Sequence, residues 1–366
     1  MIFFIIIFFL FVLILSLFLS KFNLGRAFLF IITYVLICGI FAFISYTPDK
    51  EIYNWWLFIP ETSFDKEPVF RLIASYIRAN NLDYQFLHTT FVSLYSLLFL
   101  LLINKFNRNV LLISILYLPL IFIFYGTQLR YFLGYYSMLL GFYYLYTKNS
   151  KSLAIAFFIF GVSSHFSLVL FVPFYFLLKI NNNFFRRIVN LVLVVLVGYT
   201  LLTSIIFNLL SGYRFIDYLT GDLVSSYSGG IFSFAPLIPI YLLCNYYYKE
   251  RIKLDPSLES DLKFSFLFKM SLIPAVFIGI ALTAQVIGHR YIMTGMLFPI
   301  LLFFYKFNEI TDKLKKVQFS IVFFILYIFV FIHFNFSSGI FLGEWEMVGE
   351  MRKMLRSNEI IKYLIY

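Results

Sequence analysis

Long apolar stretches alternate with short polar ones along the whole chain. Ile2–Leu19 and Phe319–Phe334 hold little but apolar side chains. Stretches of that length cross about 30 Å of hydrocarbon at about 1.5 Å per residue. The pattern predicts about twelve spans, over residues 2–20, 27–46, 86–103, 109–125, 131–147, 152–164, 166–179, 188–208, 231–248, 266–287, 290–306 and 317–337. The sixth and seventh are short, which suits a helical hairpin or tilted half-helices packed inside a bundle. A membrane β-barrel would alternate with period two. The expected fold is therefore an all-α polytopic integral membrane protein, a single transmembrane domain over residues 1–366. The first apolar run has no basic segment before it and no small-residue cleavage site, so it reads as a retained helix rather than a signal peptide.

Charge then orients the spans. The connections holding Lys21/Arg26, Lys105/Arg108, Lys148/Lys151, Lys179/Arg186/Arg187, Lys249/Arg251/Lys253 and Lys313/Lys315/Lys316 alternate with connections poor in such residues. Basic connections stay in the cytoplasm. The other face carries outer loops 47–85 and 211–230 and a tail, 338–366, whose mixed apolar and charged residues suit an amphipathic helix on the outer surface. Both termini are then outside.

Composition agrees: 62% of residues are hydrophobic and 13% charged, with a mean hydropathy of +0.90. The charged share is about half that of a soluble domain. The net charge of +11 belongs to the cytoplasmic connections and does not point to a nucleic-acid partner. Cys38 and Cys244 lie in different apolar runs and read as two buried thiols without a disulfide.

On this topology the unusual ionisable groups gather on the outer side. Arg130 opens the fifth span in "GTQLRYFLGYY". His165 opens the seventh, 35 residues later, in "GVSSHFSLVLF". His289 and Arg290 open the eleventh, and Arg214 lies in the outer loop. A helix N-terminus presents free N–H groups and partial positive charge, so an arginine there calls for an anion. Several such ends facing one cavity suit a pyrophosphate. Arginines reaching to lipid headgroups, and a hydrogen-bonded structural histidine, are the plainer alternatives. Loop 47–85 supplies carboxylates at Asp49, Glu51, Asp65 and Glu67 and rings at Tyr53, Trp55 and Trp56. That mixture fits a sugar site, or a solvated loop with an interfacial aromatic belt. Spacing for a tight metal site is absent from the sequence, and no cofactor is expected.

Five segments, in this order, resemble the EpsG family of Wzy-like polysaccharide polymerases. They are "TPDKEIYNWW" (a D-x-x-x-Y element), "KEPVFRLIASYIRANNLDYQF" (an E-x-x-F element with a short helix), the Arg130 segment, "GVSSHFS" (an F-H-x-S element) and "HRYIMTGML". One departure is Tyr131, where the family usually has Gln. The resemblance implies a GT-C-like bundle in the bacterial inner membrane, with its site on the outer face. It implies a glycosyltransferase that joins undecaprenyl-pyrophosphate-linked repeat units in O-antigen, capsule or exopolysaccharide synthesis. The lipid-linked glycan is donor and acceptor, and the bilayer, a chain-length regulator and a flippase are partners. The roles expected on that reading are catalysis by His165, Asp49 and Arg130. Pyrophosphate binding falls to Arg130, Arg290, His289 and Arg214, and sugar binding to Glu51, Tyr53, Trp55, Trp56 and Glu67. A lipid-linked oligosaccharide flippase should carry charges along several spans, whereas Lys269 is the main mid-span charge. A membrane acyltransferase should carry its histidine near an early span.

Overall fold

The computed structural model describes residues 12, 14–59, 67–206, 237–278, 285–336 and 347–365. Every regular element among them is helical, as a chain without water to satisfy its backbone requires. Four helices are long and apolar enough to cross a membrane by length and composition: Asn23–Phe41, Tyr84–Asn104, Arg290–Glu309 and Lys313–Asn335.

Several predicted spans are broken, and proline marks the breaks. The fourth becomes helix Val110–Tyr117, a 3-10 turn at Leu118–Leu120 containing Pro119, and a short helix, Phe122–Thr127. The tenth passes from helix Leu262–Leu272 into a 3-10 turn, Ile273–Phe277, at Pro274. The eleventh is divided between Gln285–Gly295 and Leu297–Phe304, with Pro299 in the first turn of the second piece. In each case proline removes a donor and its ring presses on the preceding turn. The stretch predicted as the seventh span is not one continuous helix. It is a 3-10 turn, Phe166–Phe171, followed by helix Phe174–Leu177, with Pro173 between them. The sixth is a 14-residue helix, Lys151–Ser164, about 21 Å long.

The chain divides into two compact units. One comprises Met1–Tyr175 with Gly349–Tyr366, the other Phe176–Val348. In the first, helix Asn23–Phe41 buries Leu29, Thr33, Ile37 and Phe41, one turn apart, and leaves Phe28, Ile31 and Val35 exposed. Such an apolar outward face suits lipid. Helix Tyr84–Asn104 lies deeper, with Tyr95, Phe99 and Leu100 fully buried.

Helices Leu129–Lys148 and Lys151–Ser164 form an antiparallel hairpin. Its turn is closed by Asn149, whose φ of 50° is left-handed. Small residues bring the two backbones together. A Cβ on Gly134 would lie 2.6 Å from the Gly161 carbonyl oxygen, and one on Gly141 would lie 3.1 Å from that of Ala154. Close packing through glycine and alanine is a recurrent mode between helices in lipid.

The segment read as a polar outer loop, 47–85, is largely helical. Helix Lys50–Phe58 buries Tyr53 and Leu57. Helix Pro68–Ala79 opens on proline at its first position and buries Phe70, Ala74 and Ile77, an amphipathic spacing. The tail forms two helices that dock on this first unit. Helices Met347–Arg356 and Glu359–Ile365 bury Glu350, Met354 and Asn358. Asn358 Nδ2 donates to the carbonyls of Gly39 and Ile40, each at 2.8 Å. Those carbonyls lie in the last turn of Asn23–Phe41, where no further N–H of the helix reaches them.

In the second unit, Asn182 accepts from Ser265 Oγ at 2.6 Å and donates to Tyr248. Lys269 Nζ donates to the carbonyls of Leu178 and Ile180 at 2.6 Å. Arg251 is 2% exposed. It donates to the Tyr247 hydroxyl at 2.6 Å and to the carbonyls of Tyr305 and Lys306 at 3.2 Å. Both thiols are free, Cys244 buried and Cys38 only half-buried.

Candidate functional site

The hairpin decides which residues meet. Arg130 lies in the first turn of its helix, behind the N-cap Gln128. His165 ends the other helix as its C-cap, in extended backbone, immediately before the 3-10 turn. The pairs Arg130/His165, Gly134/Gly161 and Gly141/Ala154 all share one midpoint, between Thr147 and Lys148. The glycine contacts that set the hairpin register therefore also carry Arg130 and His165 to the same end.

Glu67 completes the cluster from outside the hairpin. It is the N-cap residue of Pro68–Ala79, but its side chain does not cap that helix. It reaches the hairpin instead. Arg130 Nη1 donates to Glu67 Oε2, and His165 Nδ1 lies 3.0 Å from Glu67 Oε1. All three side chains are largely enclosed, with exposures of 8% for Glu67, 13% for Arg130 and 15% for His165. Burial by itself would raise the Glu67 carboxyl. The hydrogen bond from His165 and the charge of Arg130 outweigh it and hold the group at about 2.

Rings surround the cation. The Arg130 guanidinium carbon lies 4.6 Å from the centre of the Trp56 ring and 5.6 Å from that of Phe70. Such stacking is worth about 2 kcal/mol where water is excluded. Tyr53 packs edge-on to Trp56 at 5.3 Å. Burial raises its phenol, and the nearby Arg130 charge opposes that. The Tyr131 ring meets His165 edge-on at 5.7 Å and stacks on Tyr135 at 5.5 Å.

Of the residues singled out from the sequence, Arg130, His165, Glu67, Trp56 and Tyr53 come together here. Asp49 is half-buried at the N-cap of Lys50–Phe58, without capping it, and its charge acts on Tyr53. Glu51 and Trp55 are exposed on that same helix. Arg290 belongs to the second unit, half-buried on helix Gln285–Gly295, with its carbonyl accepting from Thr294 at 2.7 Å. Arg214, Asp65 and the side chain of His289 lie outside the described residues.

Three features escaped the sequence reading. Glu67 was expected to bind sugar, yet it is the partner of both Arg130 and His165. Phe70, beneath the guanidinium, was not singled out. His88 also went unremarked. It is fully buried, with Nε2 2.9 Å from the Gly126 carbonyl oxygen, and ties its helix to the segment leading into Arg130. Among the described residues no group of three or more His, Cys, Asp or Glu side chains could hold a metal ion.

A scan of protein families matches residues 27–345 to the EpsG family. The chain belongs to the EpsG family. That family is associated with polysaccharide polymerases and glycosyltransferases, and the apolar helices agree with a membrane protein of polysaccharide synthesis. Comparison with curated proteins and with solved structures gave no match.

Proposed function

We propose that this EpsG-family protein is a Wzy-type polymerase, joining undecaprenyl-pyrophosphate-linked repeat units at the outer face of the bacterial inner membrane. The observation that carries the reading is the enclosed meeting of Arg130, His165 and Glu67 under Trp56. Arg130 lies 18 residues along one helix from Lys148, about 27 Å at 1.5 Å per residue. Lys148 and Lys151 mark the cytoplasmic end by the distribution of basic residues. The cluster then falls at the opposite end, on the outer side, where lipid-linked repeats arrive after crossing.

The reaction needs two kinds of help. The bond between the anomeric carbon of the growing glycan and its pyrophosphate breaks, and the electron pair leaves with the undecaprenyl pyrophosphate. Arg130 stabilises that charge through its guanidinium fork. A hydroxyl of the incoming repeat attacks the same carbon, forms the new glycosidic bond and gives up its proton to His165. Trp56 and Tyr53 offer ring faces and a hydroxyl for the sugar, and the apolar helices offer a path for the polyprenol.

Deletion of the gene in an O-antigen producer tests the reading. The expected result is surface carriers capped with a single repeat, because repeats still cross and are ligated one at a time. His165→Ala reproduces that phenotype. Surface carriers without any repeat, with the ligase intact, would mean a flippase instead. Topology has its own test. Ser150→Cys, in a variant lacking Cys38 and Cys244, should resist an impermeant thiol reagent in intact spheroplasts, while Glu51→Cys should react.

A further inference from the structure

We infer that Glu67 is a positioning residue for His165, its carboxylate holding the imidazole proton on Nδ1 so that the Nε2 lone pair takes the proton of the attacking hydroxyl. The hydroxyl belongs to the polymerase reading, on which this step rests. The tautomer does not depend on it.

The argument begins with what an ionised carboxylate can do. It accepts hydrogen bonds and donates none. Glu67 Oε1 stands 3.0 Å from His165 Nδ1, so the hydrogen between them belongs to the imidazole. A neutral imidazole carries one N–H, and with that proton on Nδ1 the lone pair is on Nε2. Arg130 holds the other carboxylate oxygen. The two oxygens are thus divided between the cation assigned to the leaving group and the base assigned to the nucleophile.

Local geometry does not account for this arrangement. Glu67 sits where a side chain often caps its own helix, and it does not do so. It comes from 63 residues before Arg130 and 98 before His165. His165 ends its helix at φ −157° and ψ 109°, an extended conformation that takes its side chain out of helical register. When Nε2 receives the proton, the resulting imidazolium is already bonded to a carboxylate at Nδ1. This is the division of labour of an orienting acid and a base in nucleophilic enzymes. A carboxylate serving only to bind sugar would not need to engage both catalytic candidates.

The chain has four histidines, few enough for ring ¹⁵N spectra of the full-length protein in lipid nanodiscs, with His165→Gln giving the assignment. His165 is expected to show a protonated Nδ1 and an unprotonated Nε2 in the parent protein and in Arg130→Ala. In Glu67→Ala the ring should shift toward the Nε2-protonated form. An Nε2-protonated ring in the parent protein, or a tautomer unchanged in Glu67→Ala, overturns the inference. Elongation of a lipid-linked repeat supplies a second readout. Glu67→Gln and Glu67→Ala should lower kcat on the order of 10²–10⁴-fold with KM little changed, as for other orienting carboxylates. Glu67→Asp should recover part of the loss. A raised KM at unchanged kcat returns Glu67 to sugar binding and also overturns the inference. Should the parent protein elongate nothing while the ring spectra behave as expected, the polymerase reading fails and the positioning of His165 stands.

Discussion

Two largely enclosed arginines, one in each unit, differ in their surroundings. Arg251 is surrounded by neutral acceptors: a phenol and the carbonyls of Tyr305 and Lys306. Those carbonyls lie in the connection that follows helix Leu297–Phe304, so Arg251 holds that connection in place. Arg130 faces a carboxylate shared with a histidine, beside two aromatic rings. Its Nε finds no hydrogen-bond partner. Burial therefore does not identify a functional arginine in this protein. The partners do. Lys269 falls on the Arg251 side of the comparison, since its ammonium is held by the carbonyls of Leu178 and Ile180.

The sharpest way to break the contrast is to truncate each arginine. Arg130→Ala should lower polymer formation on the order of 10²–10³-fold, the loss typical of one charge-stabilising donor. Arg130→Lys should restore only part, because a point charge replaces a fork. Arg251→Ala should instead reduce the amount of folded protein and its melting temperature. Activity per folded molecule should stay within about twofold, since an arginine that ties down a connection contributes stability rather than chemistry. Polymer assays normalised to detergent-extracted monodisperse protein measure both. Equal losses of activity per molecule would erase the distinction.

Next comes the hairpin that brings Arg130 to His165. Gly134→Ala places a methyl 2.6 Å from the Gly161 carbonyl oxygen and 2.5 Å from Leu168 Cδ1. A backbone atom cannot step aside, so the helices must separate. Activity should fall about tenfold or more, along with about 1–3 kcal/mol of stability. Gly39→Ala meets nothing within 4 Å and should be neutral or stabilising by about 1 kcal/mol. Thermal unfolding and chain-length profiles of the two variants give the comparison.

The smallest effect is in pH. The Glu67 carboxyl is held at about 2 against an ordinary 4.5. A depressed carboxyl contributes stability that is fully present above its unfolded value and is lost as the pH falls through the folded one. The melting-temperature difference between parent and Glu67→Gln should therefore shrink between about pH 4.5 and pH 2. A difference independent of pH over that window would mean that the ion pair does not hold the cluster together.

Much of this was legible in the chain. Hydropathy located the long apolar helices, such as Asn23–Phe41, Tyr84–Asn104 and Lys313–Phe336, because a segment in lipid must be apolar over its whole length. It missed Lys50–Phe58 and Pro68–Ala79. The small residues on which the hairpin packs were visible too, but not its register. Gly134 and Gly161, like Gly141 and Ala154, share a midpoint between Thr147 and Lys148, two residues before the turn at Asn149–Ser150, so the turn alone does not give the register. The proline breaks at Pro119, Pro173, Pro274 and Pro299 were equally visible, although apolar windows run straight through them.

By itself, then, the sequence determined an all-helical membrane protein, the family segments and the gathering of Arg130 and His165 at one end of their helices. Each follows from forces that act locally or at a fixed helical spacing. Tertiary structure alone decided the partner of that pair. Glu67 reaches it across 63 and 98 residues through a helix whose direction depends on Phe70, Ala74 and Ile77 finding their burial. No periodicity encodes such a distance. The docking of the tail on Gly39 and Ile40, through Asn358, was decided in the same way, because only the folded chain brings a free amide to carbonyls that a helix end leaves unpaired.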